Sequence, residues 1–452
     1  MVNSGNEKIV IVGLGSTGIS CAGYFASTGQ QFKVVDSREN PPGLKQLLGL
    51  LPDVDLELGA FKKETFINAG CLVVSPGVSL LTPEIVAAKE SGVLITGDID
   101  IFSKRVNAPI VAVTGSNGKS TVVAILAEIL QKAKVSFALG GNLDGASFKP
   151  ALDMLLEPEK ELYVLELSSF QLETTHQLNA VVAVLLNLSE DHMDRYQGLE
   201  DYYKAKANIF NGCKQILINR EDKFSELSRS LDAPARDFGF GHPTENGIGL
   251  LENDGGEYLA YGTENIAFVS ELKVVGRHNV LNMLAAIGLA LAIDIDLAAI
   301  RQGVKSFAGL PHRCQWVDRK NAVDFYNDSK GTNVGATVAA IDGLGQRISG
   351  KIILIAGGIA KGADFSGLAP IVNRWCKEVI LIGIDAIELG SSLGDDAKIY
   401  YAASMSDAVS AAYSHSSGGD VVLLSPACAS FDMFDNFQHR GEAFMSAVGD
   451  LR

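Results

Sequence analysis

Paired cysteines are absent from this sequence of 452 residues. Its six cysteines stand singly, with no Cys-x-x-Cys pair and no close cluster: Cys21, Cys71, Cys213, Cys314, Cys376 and Cys428. This spacing argues against the disulfide framework of a small secreted domain and fits a reducing compartment. We therefore expect a cytoplasmic protein.

A long apolar segment is also lacking. The first eight residues, MVNSGNEK, contain no apolar stretch of the kind found in a secretory signal. The most apolar run, MLAAIGLALAIDIDLAAI, is interrupted by Asp294 and Asp296 and is too short to cross a bilayer. We interpret it as one buried helix and expect no membrane insertion.

An excess of positive charge is missing as well. The chain has 38 Lys and Arg against 53 Asp and Glu, which gives a formal net charge of -15. Nonspecific nucleic-acid binding requires Lys and Arg to displace counterions from phosphates, so we expect no nucleic-acid partner. Anionic small-molecule substrates stay compatible with this charge if positive groups are concentrated locally.

The composition itself is ordinary for a globular protein, with 47% apolar and 20% charged residues. At roughly 150 residues per domain, the length predicts about three domains. Apolar runs rich in Val and Ile alternate with helix-length segments, which is typical of parallel sheets with helical crossovers. We predict an α/β fold with a Rossmann-like N-terminal domain (1–107), a central P-loop ATPase-like domain with a parallel sheet (108–308) and a Rossmann-like C-terminal domain (309–452).

Predicted strands follow the apolar runs of each domain. They are KIVIVG, FKVVD, CLVVS and GVLIT in the first domain, PIVAVTG, LYVLELSSF, AVVAVLLNL and QILIN in the second, and AVDFYND, KIILIAGG, EVILIG and DVVLLSP in the third. Pro109 and the segment FAGLPHR mark the two boundaries, since Gly and Pro interrupt regular structure.

A glycine-rich loop follows the first predicted strand. Gly13, Gly15 and Gly18 form a G-x-G-x-x-G turn, which brings main-chain N–H groups and a helix N-terminus close to a pyrophosphate. Asp36 ends the next strand, where an acidic side chain ordinarily holds a ribose hydroxyl. The pattern is typical of NAD binding, although any diphosphate nucleotide offers the same anion, and a tight turn without a ligand is the alternative. Ser37 and Arg38 add polar donors, and no dehydrogenase signature occurs elsewhere.

The turn SPGV, residues 75–78, follows the strand LVV. It should lie at the same carboxyl edge of the first sheet, where open α/β folds bind ligands. A plain strand-to-helix turn is the alternative interpretation.

A second phosphate loop occurs in AVTGSNGKST, where a strand ends at Thr114 and a helix opens at Lys119. In such a loop, main-chain N–H groups hold phosphates, Lys119 neutralises the β and γ oxygens, and the hydroxyl of Ser120 or Thr121 reaches Mg²⁺. The spacing is G-x-x-G-K-S-T, since Val113 stands where the full motif has its first glycine. We predict an ATP site.

Two polar residues follow the next strands of the same domain. Glu166 lies in VLELSSFQLE and His192 in LNLSEDHMDRY. A carboxylate and an imidazole at neighbouring strand ends can complete the coordination of Mg²⁺. A helix-capping role for Glu166 and a hydrogen-bonded structural role for His192 are the alternatives.

Taken together, these motifs resemble the Mur ligase family, the ATP-dependent amide-forming enzymes of peptidoglycan precursor synthesis. The resemblance covers the whole chain through GLGSTG, VVDSR and SPGV, then TGSNGKST, LELSSFQLE, NLSEDHMDRY and GRHNVLN, then PHR, NDSKGTN, KGADF and LSPACASFDMFDNFQHRG. Folylpolyglutamate synthases share the second and third domains but lack this type of first domain. Gly331 in NDSKGTN is a small departure, because the family more often has alanine there.

The resemblance implies that the first loop holds the UDP of a nucleotide-linked sugar and the second holds ATP. NDSKGTN and SPACASFD are similar to the members that add glutamate, which implies UDP-N-acetylmuramoyl-L-alanine and D-glutamate as substrates of an ADP-forming ligase. The choice of the D-isomer rests wholly on resemblance. We expect a monomer with ATP and Mg²⁺ as cofactors.

The family implies a role for each matching residue. Catalytic residues would be Lys119, Glu166, His192, Lys206 and Lys330. Metal ligands would be Ser120, Glu166, His192 and Lys206, the last as a carbamate, although its helix alone predicts a solvated lysine. ATP contacts would be Gly115, Ser116, Asn117, Gly118, Lys119, Ser120, Thr121, Asn279, Asn282, Arg313 and Asp328, with Asn279 equally able to cap its helix. UDP-substrate contacts would be Gly15, Ser16, Thr17, Asp36, Ser37, Arg38, Ser75, Gly77 and Asn142. D-glutamate contacts would be Thr332, Lys361, Ser430 and Phe437.

The chemistry of amide formation explains the need for ATP. A carboxylate does not react with an amine at neutral pH because hydroxide is a poor leaving group. Transfer of the γ-phosphoryl group gives an acyl phosphate, which the amine attacks, and the protein mainly positions reactants and neutralises charge. The alternatives are a family member with another amino acid, an NAD-dependent dehydrogenase with a regulatory nucleotide site, and a P-loop ATPase without ligation.

Overall fold

The computed structural model describes residues 8–142, 149–193, 195–274 and 276–451, so most of the segment MVNSGNEK lies outside the described residues. The described chain forms three sheets that follow one another along the sequence. Within these ranges, no helix combines the length and apolarity needed to cross a membrane.

The first sheet is Rossmann-like, with five parallel strands in the order β3-β2-β1-β4-β5. The strands are β1 (Ile9–Val12), β2 (Phe32–Asp36), β3 (Asp55–Leu58), β4 (Cys71–Val74) and β5 (Leu94–Thr96). The helices are α1 (Ser16–Ser27), α2 (Leu44–Leu50), α3 (Lys63–Ile67), α4 (Pro83–Glu90) and α5 (Asp98–Arg105). The central strands β1 and β4 are wholly apolar and buried because helices cover both faces. The chain order reverses between these two strands, which opens a crevice at their carboxyl ends.

The central sheet has nine strands in the order β14-β13-β12-β11-β10-β9-β6-β8-β7. The strands are β6 (Ile110–Thr114), β7 (Phe137–Gly141), β8 (Leu162–Glu166), β9 (Val182–Leu185), β10 (Ile216–Asn219), β11 (Ala235–Phe238), β12 (Ile248–Asn253), β13 (Gly256–Tyr261) and β14 (Glu264–Phe268). The helices are α6 (Lys119–Lys132), α7 (Ala151–Met154), α8 (Ser169–Leu172), α9 (Leu199–Ala207), α10 (Lys223–Leu227), α11 (Arg277–Ala292) and α12 (Leu297–Ser306). Its pairs are parallel except at the edge, where β12, β13 and β14 run antiparallel.

The third sheet has six strands in the order β15-β16-β20-β17-β18-β19. The strands are β15 (Gln315–Lys320), β16 (Val323–Asn327), β17 (Ile352–Gly357), β18 (Cys376–Ile382), β19 (Ile399–Tyr401) and β20 (Val421–Leu424). The helices are α13 (Val334–Gly345), α14 (Ala369–Trp375), α15 (Ala386–Ser392), α16 (Met405–His415) and α17 (Phe437–Gly449). All of its pairs are parallel except the edge pair β15 and β16.

The predicted α/β fold class is confirmed. Eight strands of the structure were not predicted from the apolar runs of the sequence: β3, β7, β11, β12, β13, β14, β15 and β19. Most of them lie at or near sheet edges, where one face is exposed and the sequence carries charges, as in DLEL of β3. The single helix predicted for MLAAIGLALAIDIDLAAI is wrong. Asp294 adopts φ of 60°, which ends α11, and the Asp296 carboxylate accepts the N–H groups of Ala298 and Ala299 to begin α12.

The first and central sheets share one hydrophobic core. A single cluster of buried side chains includes Ile11 and Phe25 of the first domain, Phe102 of α5, and Tyr163 and Leu185 of the central domain. The ring centroids of Phe102 and Tyr163 are 5.2 Å apart. The helix α5 therefore packs between the two sheets.

Polar contacts reinforce the same junction. The buried Asp100 carboxylate accepts the N–H of His176 at 2.8 Å, and the Ser103 hydroxyl donates to the carbonyl of Gln177 at 2.8 Å. These two contacts join α5 to the chain that follows α8. The segment before Pro109 is thus fixed to the central domain on both its apolar and its polar side.

Candidate functional site

A cavity of about 840 Å³ lies at the crevice of the first sheet. All nine residues predicted to contact the UDP-substrate line it: Gly15, Ser16, Thr17, Asp36, Ser37, Arg38, Ser75, Gly77 and Asn142. Because Asn142 follows β7, the central domain contributes to the cavity as well. Sequence reasoning missed the further lining residues Phe61, Thr82 and Gln171, and only Gln171 lies inside a motif singled out beforehand, LELSSFQLE.

Close backbone approach shapes the first loop. A Cβ at Gly18 would lie 2.1 Å from the carbonyl oxygen of Gly13, so α1 can start this close behind β1 only with glycine. The Ser75 hydroxyl donates to the same carbonyl at 2.9 Å. The turn SPGV is therefore part of the ligand cavity and is joined to the glycine loop.

The Asp36 carboxylate holds the loop itself. One oxygen accepts the N–H of Leu14 at 2.7 Å, and both oxygens accept the Arg38 guanidinium, at 2.8 and 2.7 Å. Burial pushes the pKa of Asp36 upward, but these hydrogen bonds outweigh burial and hold that pKa below its usual value. Asp36 thus stays ionised and orients Arg38 at the cavity.

The second loop connects β6 to α6, and Lys119 at the start of α6 hydrogen-bonds to the main chain of this loop. Lys119 Nζ donates to the main-chain carbonyls of Gly115, at 2.8 Å, and Ser116, at 3.1 Å. Gly118 has φ of 85°, and a Cβ there would meet Asn282 Oδ1 at 2.5 Å. Asn282 of α11 therefore lies directly against the phosphate loop.

A second, smaller cavity of about 130 Å³ lies between the central and C-terminal domains. The predicted ATP residues that line it are Asn117, Gly118, Thr121, Asn279, Asn282, Arg313 and Asp328, together with the predicted catalytic residue Lys330. The other predicted ATP residues, Gly115, Ser116, Lys119 and Ser120, belong to the adjoining loop and the first turn of α6. Asn282 Nδ2 donates to Asn279 Oδ1 at 3.3 Å.

Two contacts join the phosphate loop to the C-terminal domain. Arg313 Nη2 donates to the Ser120 hydroxyl at 2.8 Å. The side-chain amides of Asn117 and Asn333 bond reciprocally, at 3.3 and 3.0 Å. Asn333, which sequence reasoning missed, directly follows Thr332 and caps α13 by accepting the N–H of Ala336.

Glu166 ends β8 with a carboxylate suited to a cation. The side chain is buried, and its Oε2 atom has no hydrogen-bond partner among the described residues. Its other oxygen accepts from Asn142 Nδ2 only at 3.5 Å. A buried carboxylate oxygen without a donor fits a metal ligand, because such an atom is otherwise unfavourable.

Lys206 lies in α9 but is buried, so the solvated lysine that its helix alone predicts is wrong. Its Nζ donates to the carbonyl of Gly115 at 3.0 Å and lies 4.6 Å from the ring centroid of Tyr202. The Lys206 amine therefore contacts the main chain of the phosphate loop.

Electrostatics favour the neutral amine of Lys206. Burial lowers its pKa well below the usual value, the Lys119 ammonium lowers it further, and the carboxylates of Asp191 and Glu166 act in the opposite direction. These four side chains are thus electrostatic neighbours. An unprotonated amine at this position is the form that can add to CO₂ and become a carbamate.

His192 adopts φ of 57° in the loop after β9. Its ring lies 4.8 Å from that of Phe170, and Nε2 is 3.7 Å from Asp191 Oδ2. Among the described residues, no three His, Cys, Asp or Glu side chains form a group that could hold a metal ion. The predicted metal set therefore depends on the Ser120 hydroxyl and on modification of Lys206.

Asp328 directly follows β16, is buried and lines the smaller cavity. Burial raises its pKa to about 7, although the Ser425 hydroxyl and the Cys314 N–H donate to its oxygens at 2.7 and 3.1 Å. Burial therefore favours the protonated carboxyl group at pH values where an exposed aspartate is already ionised.

The predicted D-glutamate residues come from three segments of the C-terminal domain. An antiparallel bridge between Ile359 and Ala429 brings the segments of Lys361 and Ser430 side by side. Lys330 Nζ lies 3.9 Å from the ring centroid of Phe437, the first residue of α17. Thr332 is joined to Lys330 by a main-chain hydrogen bond of 2.8 Å.

A buried arginine organises this corner, and sequence reasoning missed it. Arg440 is 1% exposed and donates to the Ser329 hydroxyl, the Ser329 carbonyl and the Cys428 carbonyl, at 3.0, 2.9 and 3.0 Å. Burial lowers its pKa to about 10. In the sequence, Arg440 is visible only as the arginine of the motif segment FQHRG, and that segment does not show whether the arginine is buried or exposed.

Family models match all three parts of the chain. Residues 7–97 match the model described as Mur ligase MurD-like, N-terminal domain, residues 113–290 the Mur ligase middle domain, and residues 312–428 the Mur ligase, glutamate ligase domain. The chain is 48% identical over 442 residues to the UDP-N-acetylmuramoylalanine--D-glutamate ligase of Pseudomonas aeruginosa, covering 98% of both chains. It is 46% identical to the enzyme of that name from Hahella chejuensis, covering 99% of both.

Solved structures share the fold at much lower identity. A pseudomurein peptide ligase type C from Methanothermus fervidus superposes with a TM-score of 0.62 at 19% identity, covering 99% of this chain and 100% of that one. A folylpolyglutamate synthase from Mycobacterium tuberculosis, solved with ADP and AMPPCP, gives a TM-score of 0.58 at 16% identity, covering 77% of this chain and 93% of that one.

Proposed function

The chain belongs to the Mur ligase family, and we propose that it uses ATP to add D-glutamate to UDP-N-acetylmuramoyl-L-alanine in peptidoglycan precursor synthesis. The observation that supports the proposal is that the two glycine-rich loops adjoin two separate cavities. All nine predicted UDP-substrate residues line one cavity, while the phosphate loop adjoins another. A ligase acting on a nucleotide-linked sugar needs both sites, whereas a simple ATPase needs only one, and a dehydrogenase with a regulatory nucleotide site is set apart by the NADH measurement described below.

Each of the two cavities would receive one of the nucleotides. In the larger one, Arg38 and the main-chain N–H groups after β1 would hold the uridine diphosphate. In the smaller one, Asn282, Arg313 and Asp328 would contact ATP. Asn142, beside Glu166, would lie where the two ligands meet.

We propose two Mg²⁺ sites next to the phosphate loop. Ser120 and Glu166 would hold one ion, and His192 with the carbamate of Lys206 would hold the second. The unprotonated Lys206 amine would add to CO₂ with release of a proton, which converts a neutral amine into an anionic oxygen ligand. Bound Mg²⁺ would neutralise charge on the phosphate oxygens.

The reaction would proceed through an acyl phosphate. The alanyl carboxylate attacks the γ-phosphorus of ATP and ADP leaves; the amine of D-glutamate then attacks the acyl carbon and phosphate leaves. Lys119 would leave the carbonyls of its own loop to neutralise the γ-phosphate. Lys330, which lies against Phe437 between ATP and glutamate residues, would neutralise the transferred group.

D-glutamate would bind in the corner formed by the C-terminal segments. The Lys361 ammonium, the Ser430 hydroxyl and the main-chain N–H of Phe437 can hold a carboxylate, since all three donate hydrogen bonds. Thr332 would contact the amino acid from the side of Lys330.

Location, oligomeric state and domain limits are further parts of the proposal. None of the six cysteines forms a disulfide in the described chain, which supports a reducing cytoplasm. We propose a monomer with domains at 1–107, 108–308 and 309–452, a division that places one sheet in each domain.

The test is an ADP-release assay with the full-length protein. We expect ADP only when UDP-N-acetylmuramoyl-L-alanine, D-glutamate, ATP and Mg²⁺ are all present, and no change in NADH absorbance. L-Glutamate and other amino acids serve as matched controls. ADP release without D-glutamate would favour an ATPase, and dependence on another amino acid would favour a different ligase of the family.

A further inference from the structure

We propose that Arg195 is a positioning residue that fixes the loop Ser75–Val78 of the UDP-substrate cavity against the segment that carries His192. The inference rests on the proposed function, because it assigns the cavity to the UDP-substrate. It adds a residue that neither cavity lining includes.

Arg195 reaches from the central domain to the first domain. Its Nη1 donates to the carbonyl of Pro76 at 2.9 Å, and its Nη2 donates to the carbonyl of Val78 at 3.3 Å. Residues 75–78 all line the large cavity. A side chain of the central domain thus holds the main chain of the cavity wall.

An ion pair fixes the guanidinium from the other side. Nη2 also donates to Glu173 Oε2 at 2.6 Å, and both side chains are only 15% exposed. The Tyr196 hydroxyl donates to the other carboxylate oxygen of Glu173 at 2.6 Å. A charge this far from water requires such a partner, so Glu173 and Tyr196 leave Arg195 little freedom.

One aromatic ring connects Arg195 to His192. Arg195 Cζ lies 4.2 Å from the ring centroid of Phe170, and the same ring lies 4.8 Å from that of His192. Phe170 directly precedes Gln171, which lines the cavity. The motifs SPGV, SSFQLE and HMDRY therefore meet around a single guanidinium.

Removal of Arg195 would leave the loop with less support. Within its own domain the loop keeps the hydrogen bond from the Ser75 hydroxyl to the Gly13 carbonyl. A looser loop must be ordered when the substrate binds, and that ordering weakens affinity. Lysine cannot replace the residue fully, because its single ammonium lacks the planar fork that reaches several oxygens at once.

The experiment measures KM for each substrate in R195A, R195K and the wild-type protein. We expect R195A to raise KM for UDP-N-acetylmuramoyl-L-alanine by about tenfold, the effect of losing one charge-assisted hydrogen bond. R195K should change KM in the same direction by less. KM for D-glutamate and ATP should stay unchanged, which distinguishes positioning from a general loss of folded protein.

R236A is the matched control. Arg236 of β11 also lies over an aromatic ring, 5.3 Å from the centroid of Tyr261, and donates to a main-chain carbonyl, but it lines neither cavity. Its KM values should equal those of the wild type. An unchanged KM for the UDP-substrate in R195A, or in R195K if R195A does not fold, would overturn the proposal. So would an equal rise for all three substrates.

Calorimetry with UDP alone separates this inference from the proposed function. Wild-type protein that binds UDP but forms no amide would refute the ligase function, and the affinity ratio between wild type and R195K would still test Arg195. Equal UDP affinity in the two proteins would count against the positioning role, since Ser75 of the loop donates to Gly13 in the glycine loop that is proposed to hold the diphosphate.

Discussion

Replacing Asp328 by Asn should stabilise the C-terminal domain above neutral pH and leave its stability unchanged near pH 4. The wild-type carboxyl group is buried at the proposed ATP cavity, and burial raises its pKa from 3.8 to about 7. Asparagine is similar in shape and never ionises. Its oxygen can accept the Cys314 N–H, and its amide can donate to the Ser425 hydroxyl.

The sign follows from the proton held by the folded state. Between pH 4 and pH 7 the folded protein keeps a proton that the unfolded chain has already released, so wild-type stability falls as pH rises. At about 1.4 kcal/mol per pH unit, a pKa difference of roughly three units corresponds to about 4 kcal/mol. The free energy of unfolding of D328N should exceed that of the wild type by up to this amount at pH 8.

Urea unfolding followed by tryptophan fluorescence measures the effect locally. Both tryptophans of the chain, Trp316 and Trp375, lie in the C-terminal domain. D395N is the control, because Asp395 is an exposed carboxylate of the same domain. A difference between D328N and wild type that is the same at pH 5 and pH 8, or zero at both, would refute the reasoning.

Further expected outcomes concern the two nucleotide sites and the contact between them. K119A should lose turnover but keep its affinity for the UDP-substrate, because Lys119 contacts the phosphate loop of the central domain whereas Arg38 lines the large cavity; equal loss of that affinity in calorimetry would contradict this division. NAD should bind weakly or not at all in competition with the UDP-substrate, and micromolar NAD binding would contradict the assignment of the first glycine loop to UDP. N333D keeps the cap of α13 but loses the donor to Asn117, so KM for D-glutamate should rise without a change in melting temperature. An unchanged KM for D-glutamate in N333D would mean that the amide contact does not position the neighbouring residue Thr332.

The sequence predicts best what depends on local pattern. Apolar strands such as IVIV of β1 are covered on both faces and therefore read clearly, and the glycine loops that follow β1 and β6 are placed correctly. The loops that follow these strands lie at the two cavities. Most of the candidate residues identified from motifs therefore line one cavity or the other.

What the sequence could not predict depends on contacts between distant segments. The helix of Lys206 has the composition of an exposed helix, and only the packing of α9 beneath the phosphate loop buries the amine. Arg195, Asn333 and Arg440 look like surface residues in the sequence, because their partners lie in other motifs or other domains. The strands β12, β13 and β14 were missed since their exposed face carries polar residues in place of a continuous apolar run.

The apolar cluster shared through α5 sets how the chain divides into folding units. A fragment of residues 1–107 would uncover Phe102 and the face of α1 that packs on α7, so it should aggregate when produced alone. The two apolar clusters of the third sheet contain only residues from Cys314 onward, among those that the structure describes. Contacts between this sheet and the central domain include polar pairs such as Arg313 with Ser120. Three sheets therefore correspond to two cooperative units, and a fragment ending near residue 308 is the one that should stay soluble and keep the UDP cavity.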